Sequence, residues 1–208
     1  MRPELRVGLD FDNTIICYDQ VFLVAARAGR LVPAGFTGGK QAIRETVRQR
    51  PGGEISWQRL QGYVYAQGIK RAVLHDGVDR FLRRCRLEGV PVSIVSHKTE
   101  HNEFDSGRVN LRDAAMSWMQ TAGFFDEDGH GLRQEDVFME STRAAKLERI
   151  TSLHCTHFVD DLVEVLTDPA FPTGVRRLLF ARGDTAATSR LYTACRSWSE
   201  IESAVFGD

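Results

Sequence analysis

The segment Val7–Thr14, with the sequence VGLDFDNT, leads from a short apolar run directly into two aspartates. An apolar run that stops at acidic residues is typical of a buried strand that presents side chains at its carboxyl end. Two later segments have the same form: Val90–Val95 stops at Ser96, and Thr156–Val159 stops at Asp160. In open parallel α/β sheets, ligands bind in a crevice at the carboxyl ends of the strands. The three segments therefore predict one polar crevice.

Segments with apolar residues at helical spacing separate these strands. They are Val21–Ala28, Ile43–Val47, Ile55–Tyr65, Asp76–Glu88, Leu111–Ala122, Ala144–Leu153, Leu162–Leu166 and Trp198–Phe206. Further short strands are predicted at Val137–Met139 and Arg177–Ala181. Strands that alternate with helices favour a mainly parallel sheet covered on both faces. The predicted fold class is therefore α/β, with a doubly wound, mainly parallel, Rossmann-like sheet.

The bulk composition argues against several classes of function. The 27 basic and 28 acidic residues give a formal net charge of -1, which disfavours binding to nucleic acid by neutralisation of its phosphates. No apolar run approaches the roughly 20 residues needed to span a bilayer, and the N-terminus has no signal-peptide pattern. Four cysteines without disulfide-rich or CxxC spacing are typical of a reducing compartment. We therefore expect a cytoplasmic protein with a small-molecule partner.

Four short motifs, in order along the chain, resemble those of the haloacid dehalogenase superfamily. Asp10–Thr14 reads DxDxT and resembles motif one, while Ile94–Ser96 resembles motif two, a hydrophobic strand that ends in Ser or Thr. Lys146 resembles the motif-three lysine, and the pair Asp160–Asp161 resembles the acidic motif four. The resemblance extends from about Val7 to Ala181. It implies a Mg²⁺-dependent phosphohydrolase.

The two aspartates of motif one have distinct expected roles. A carboxylate can attack phosphorus and form an aspartyl phosphate, which divides one difficult displacement into two easier ones. Asp10 is the expected nucleophile. Asp12 is the expected general acid and base, which protonates the leaving alkoxide and later deprotonates water. Because carboxylate and phosphate repel each other, a Mg²⁺ ion is expected on Asp10, the backbone carbonyl of Asp12, Asp160 and Asp161.

Other residues are expected to bind the phosphoryl group. Ser96 would donate a hydrogen bond to one of its oxygens, and Lys146 would neutralise charge in the transition state. Backbone amides after the nucleophile, at Phe11 and Asn13, would complete the phosphate site. Lys98 or Arg143 remains an alternative to Lys146 as the phosphate-binding cation.

The chain between Asp12 and Ser96 is much longer than the helix and strand that the core needs there, about 20 to 25 residues. The resemblance implies that the excess is a small helical cap that closes over the site and excludes water. We expect residues 1–18 and 75–208 to form the core domain, and residues 19–74 to form the cap, inserted after the first strand.

Several interpretations stay open at this point. The aspartates of motif one could belong to a simple turn, and the pair Asp160–Asp161 could cap the following helix. The leading function is hydrolysis of a small phosphomonoester: a sugar phosphate, a nucleotide or a biosynthetic intermediate. A phosphotransferase or mutase with the same intermediate is an alternative, as is a non-catalytic phosphate-binding regulatory protein. The chain could be a monomer or a homodimer.

Two related classes are less favoured. The dehalogenase branch of the superfamily lacks the second aspartate of motif one, because halide departure needs no general acid, so Asp12 argues against that chemistry. Receiver domains of two-component systems place their acidic pair first along the chain. Here the pair Asp160–Asp161 comes last.

Overall fold

The structure is a computed structural model that describes residues 4–102, 104, 109–182 and 189–207. Its internal contacts divide the chain into two compact units. The first unit comprises Met1–Ile16, Leu74–Lys98 and Gln120–Asp208, and the second comprises Cys17–Val73 and Thr99–Met119. The second unit thus includes a segment beyond the cap boundaries expected from sequence, and the closing role of a cap stays a prediction.

Eight strands are present in the described part of the chain. They are β1 (Val7–Leu9), β2 (Ile16–Cys17), β3 (Val73–Leu74), β4 (Val92–His97), β5 (Val137–Glu140), β6 (His157–Asp160), β7 (Arg176–Phe180) and β8 (Thr193–Cys195). Six of them form one sheet in the order β5-β4-β1-β6-β7-β8, and every neighbouring pair is parallel. The predicted α/β class with a parallel sheet is confirmed.

Eight α-helices accompany the strands in the described residues. They are α1 (Asp19–Ala28), α2 (Lys40–Arg48), α3 (Gly53–Tyr65), α4 (Val78–Leu87), α5 (Leu111–Thr121), α6 (Arg143–Ser152), α7 (Val163–Leu166) and α8 (Trp198–Phe206). Among the described residues, no helix combines the length and the apolar character needed to cross a membrane.

The central strand β1 is buried along its whole length and fixes the register of its neighbours. Leu9 pairs with Ile94 of β4 on one side and with Val159 of β6 on the other. A side chain at Gly8 would meet the ring of Phe158, since an added Cβ would lie 2.9 Å from its Cε2 atom. Glycine at this position therefore leaves room for the Phe158 side chain against β1.

Helices of the first unit bury the apolar stripes that their sequences predict. In α4 the buried residues Val78, Phe81, Leu82 and Cys85 follow the i, i+3, i+4, i+7 pattern of a helix on a core. Helix α8 begins at the cap residue Ser197, whose Oγ accepts a hydrogen bond from the N–H of Glu200. The buried stripe packs α4 on the core, and the cap fixes where α8 begins.

The second unit has an apolar core of its own. The rings of Phe22 and Trp57 stack with centroids 5.3 Å apart, and Tyr18 meets Tyr65 edge to face at 4.9 Å. Trp118 in α5 donates a hydrogen bond from Nε1 to the carbonyl oxygen of Ala72, at 3.0 Å. Helix α5 therefore packs with the helical insertion, which sequence order alone does not indicate.

Three short strands were not predicted from the sequence. Strands β2 and β3 have two residues each and pair only with one another, and the chain passes from one unit to the other within them. Strand β8 is three residues long and lies at the edge of the main sheet. Strands β2 and β3 have too few residues to establish an alternating pattern, and Thr193–Cys195 lacks the apolar run that predicts β1.

Burial of His157 predicts an acid-sensitive fold. His157 begins β6 and is 5% exposed, and its Nε2 atom is buried with no hydrogen-bond partner among the described residues. Burial, with a smaller effect of the Arg176 charge, lowers the pKa of His157 to about 4. An unfolded histidine has a pKa near 6.5, so between these values only the unfolded state takes up the proton. As the pH decreases across that range, His157 should therefore lower the free energy of unfolding, by up to about 1.4 kcal/mol per pH unit.

Urea unfolding at pH 7, 6 and 5 would test this expectation. The variant His157→Gln should have a shallower dependence of unfolding free energy on pH than the wild type. The exposed His101 provides the control, because His101→Gln should leave the slope unchanged. Equal slopes for the wild type and His157→Gln would contradict the assignment.

Candidate active site

Two aspartates meet at the carboxyl ends of the adjacent strands β1 and β6. Asp10 directly follows β1, and its backbone N–H donates to the carbonyl oxygen of Val159 at 2.8 Å. Asp160 ends β6 and is fully buried. Carboxylate oxygens of Asp10, Asp160 and Asp161 all lie within 4.8 Å of one another. The structure thus brings together three of the predicted site residues.

Lys146 lies between the two buried aspartates. Its Nζ atom is 2.6 Å from Oδ1 of Asp10 and 2.7 Å from Oδ2 of Asp160, and its side chain is 2% exposed. Lys146 is in the first turn of α6, where the Oγ1 atom of Thr142 caps the helix by accepting from the N–H of Ala145. The cap fixes the start of α6 and so the position from which Lys146 reaches the sheet.

Burial and the neighbouring charges shift the pKa values of Asp10 and Lys146. Burial raises the pKa of Asp10 to about 7, and the negative charge of Asp160 contributes to the increase while Lys146 opposes it. Burial alone would lower the pKa of Lys146, but its ion pairs with Asp10 and Asp160 outweigh this effect and raise it. Lys146 is therefore a permanent cation in the site. Strongly perturbed titration in a cluster of this kind is a common property of catalytic sites.

The turn after Asp10 is fixed by its own hydrogen bonds. Asn13 has a left-handed backbone, with φ of 64°, and its N–H donates to the carbonyl oxygen of Ile16 at 2.9 Å. Thr14, which is fully buried, donates from Oγ1 to Oδ2 of Asp10 at 3.2 Å. Thr14 is the threonine of the DxDxT motif, and the sequence alone predicts no function for it. The structure assigns it to orientation of the Asp10 carboxylate.

Asp12 forms an ion pair with Lys98, which the sequence indicates only as an alternative phosphate-binding cation. Lys98 follows β4, and its Nζ atom is 2.6 Å from Oδ2 of Asp12. The Lys98 side chain is 3% exposed, whereas that of Asp12 is 20% exposed. Asp12 is therefore held by a buried cation and remains partly accessible.

The remaining residues predicted for the site differ in their burial and in their contacts. Ser96 is buried in β4, and Phe11 is fully buried in the turn after Asp10. Asp160 accepts a hydrogen bond at Oδ1 from the N–H of Leu162, which stabilises the turn before α7. The N-cap of α7 is Leu162, so neither aspartate of the pair caps this helix. Arg143 is exposed and its nearest carboxylate partner is Asp168, at 3.9 Å.

The donor set fits a hard divalent cation. Asp10, Asp160 and Asp161 offer three carboxylates at one point, and oxygen ligands of this type suit Mg²⁺. Two of the three are buried, and Lys146 balances only part of their charge. The cluster could therefore hold a metal ion.

Solved structures with a similar fold were found, although no family model matches the chain and no curated protein is similar to it in sequence. A haloacid dehalogenase superfamily hydrolase from Ehrlichia chaffeensis has 13% identity and a TM-score of 0.55, with 99% of this chain and 97% of that chain covered. A subfamily IA hydrolase from Geobacter sulfurreducens has 13% identity and a TM-score of 0.59, with 98% of each chain covered.

A third similar structure has a different title. Protein Tyrosine Kinase A from Mycobacterium tuberculosis has 18% identity and a TM-score of 0.62, with 98% of each chain covered. At these identities the similarity establishes the fold alone. The chain therefore has the fold of haloacid dehalogenase superfamily hydrolases, and the resemblance seen in its motifs is confirmed at that level.

Removal of Lys146 should destabilise the protein strongly. In Lys146→Met the buried carboxylates of Asp10 and Asp160 lose their shared cation, and an unpaired buried charge typically costs about 3 to 5 kcal/mol. We expect a decrease of this size in the free energy of unfolding, measured with urea in the presence of a chelator.

The exposed Lys70 provides a matched control, since Lys70→Met removes the same charge from a solvated position and should change stability by less than about 0.5 kcal/mol. A loss below about 1 kcal/mol in Lys146→Met would mean that the ion pairs contribute little to the fold.

Proposed function

We propose that the chain is a Mg²⁺-dependent phosphatase that hydrolyses a small phosphomonoester through an aspartyl phosphate on Asp10. The observation that carries this proposal is the position of Lys146, which bridges two buried aspartates from adjacent strand ends beside Asp161. A fold alone does not define a reaction, but a nucleophile, a cation and a carboxylate cluster at one point support this chemistry.

The first half of the proposed reaction forms the covalent intermediate. A carboxylate oxygen of Asp10 attacks phosphorus as the bond to the leaving alkoxide breaks, and Asp12 gives its proton to that alkoxide. Thr14 keeps the Asp10 carboxylate oriented, and Lys98 holds the Asp12 carboxylate. In the second half, Asp12 removes a proton from water as the water oxygen attacks phosphorus. The bond between phosphorus and the Asp10 oxygen breaks, which releases inorganic phosphate and restores the Asp10 carboxylate.

Charge around the phosphoryl group is stabilised from several directions. Asp10, Asp160, Asp161 and the carbonyl oxygen of Asp12 would hold Mg²⁺, which when bound neutralises phosphate charge and orients the substrate. Lys146 supplies a fixed positive charge within 2.7 Å of both Asp10 and Asp160. Donors from Ser96 and from the backbone N–H of Phe11 would bind the remaining phosphoryl oxygens. The backbone N–H of Asn13, also expected there, donates instead to the carbonyl oxygen of Ile16.

The surroundings of the site belong to the same proposal. Residues 19–74 would close over the site as a helical cap, which suits a small substrate better than a folded macromolecule. All four cysteines are free, in keeping with a cytoplasmic enzyme. The proposed enzyme would act as a monomer or a homodimer.

Substitution of the nucleophile is the direct test. Asp10→Asn keeps the size of the side chain and leaves Lys146 paired with Asp160, so the protein should fold. We expect phosphate release from sugar phosphates, nucleotides or p-nitrophenyl phosphate to require Mg²⁺ and to fall by at least about a thousandfold in the variant.

The assay should compare protein treated with a chelator, the same protein restored with Mg²⁺, and a Na⁺ control. Full activity in Asp10→Asn would exclude Asp10 as the nucleophile. Mg²⁺ binding without turnover of any compound would favour the non-catalytic, phosphate-binding function.

Phosphoryl transfer is the second candidate function. The similar structure from Mycobacterium tuberculosis is titled a protein tyrosine kinase, and an aspartyl phosphate can pass its phosphoryl group to an alcohol instead of to water. Competition by added alcohols separates the two functions: a transferase forms a new phosphate ester at the expense of inorganic phosphate, whereas a hydrolase releases phosphate only.

Lys98 should act on the rate of reaction more than on substrate binding. Lys98→Met removes the partner of the Asp12 carboxylate, so we expect kcat to fall by about 10- to 100-fold, with KM changed by less than about threefold. Lys98→Arg, which keeps a cation, should recover part of the loss. A rise in KM at constant kcat would instead assign Lys98 to phosphate binding.

A further inference from the structure

A cavity of about 530 Å³ lies within the helical insertion. Its walls are formed by α1, the segment after α1, α3 and the 3₁₀ turn Gly68–Arg71. All residues that line it belong to the second unit, and none of the site aspartates is among them. Its volume is in the range of small-molecule sites, about 300 to 1,000 Å³.

The lining of this cavity is apolar. Val21, Val24, Leu31 and Leu60 contribute to its surface, and Tyr63 adds an aromatic ring. Val24 is 53% exposed and Tyr63 is 38% exposed, so apolar surface of the cavity is left in contact with water. A concave apolar surface with a few polar groups is typical of a ligand site.

The charged groups of the lining have one sign. Arg59 and Arg71 both line the cavity, and no aspartate or glutamate does. Within the part of the chain that the structure describes, neither arginine side chain has a hydrogen-bond or ion-pair partner, whereas Arg48 of the same unit pairs with Glu54 at 2.6 Å. Guanidinium groups bind carboxylates in a fixed, bidentate geometry. The cavity thus combines apolar walls with two cations available to an anion.

We propose that this cavity binds a small amphipathic anion, a molecule with a flexible apolar chain and a terminal carboxylate. The chain would lie against Val21, Val24 and Leu60, and the carboxylate would pair with Arg59 and Arg71. This binding is independent of phosphate chemistry at Asp10.

Binding can be measured by isothermal titration calorimetry with three probes below their micelle concentrations. Dodecanoate has both the apolar chain and the carboxylate. Acetate has the carboxylate alone, and dodecyltrimethylammonium has the chain with the opposite charge. We expect saturable, one-to-one binding of dodecanoate, at least about tenfold tighter than that of either other probe.

Two variants localise the binding. The double variant Arg59→Gln with Arg71→Gln should weaken dodecanoate at least about tenfold, because both cations are lost. Arg44→Gln with Lys70→Gln is the matched control, since it removes two exposed charges of the same unit that do not line the cavity. Ala28→Trp, at an exposed lining position, should abolish binding by filling the cavity without a large change in Tm.

Several results would overturn the proposal. No saturable binding of dodecanoate, or equal binding of dodecanoate and dodecyltrimethylammonium, would do so, as would an equal loss in the control variant. The main alternative occupant is a second copy of the chain, which light scattering would detect as a dimer. If Ala28→Trp converts this dimer to a monomer and dodecanoate does not bind, the cavity is a contact between two copies of the chain. Phosphate release by the same variants is a separate readout and does not enter this test.

Discussion

The buried pairing of Lys146 with Asp10 and Asp160 is the interaction on which the rest of the structure depends. It joins three elements that are distant in sequence: the end of β1, the end of β6 and the first turn of α6. Three charges can be buried together only if their geometry is well defined, because each loses its hydration. The cap at Thr142 sets the start of the helix from which Lys146 reaches the sheet, so it serves this contact.

Most of the sheet could be predicted from sequence because its strands are short apolar runs between amphipathic helices. Strands β1, β4 and β6 were found near their predicted positions, and α8 has the predicted bounds of Trp198–Phe206. Strand β8 was missed, since Thr193–Cys195 is not an apolar run and forms a strand at the sheet edge by pairing with β7. The pairing of β2 with β3 was missed for the same reason: such contacts between distant segments have no local periodicity.

The candidate site was predictable in part. The position of Asp10 beside Asp160 follows from parallel strands with a common edge, and Lys146 was selected through its resemblance to a known motif. The hydrogen bond from Thr14 to Asp10 and the ion pair of Lys98 with Asp12 could not be inferred, since each depends on the path of a turn in three dimensions. Local patterns thus identified which residues meet at the strand ends, whereas their pairing required the folded chain.

Lys146 also acts as an internal counter-ion for the buried carboxylates of Asp10 and Asp160. Small metal-binding domains such as zinc fingers often cannot fold until the ion arrives, because their ligands have no other partner. Here the ammonium group of Lys146 already neutralises part of the carboxylate charge. The carboxylate cluster therefore does not need a divalent ion in order to fold.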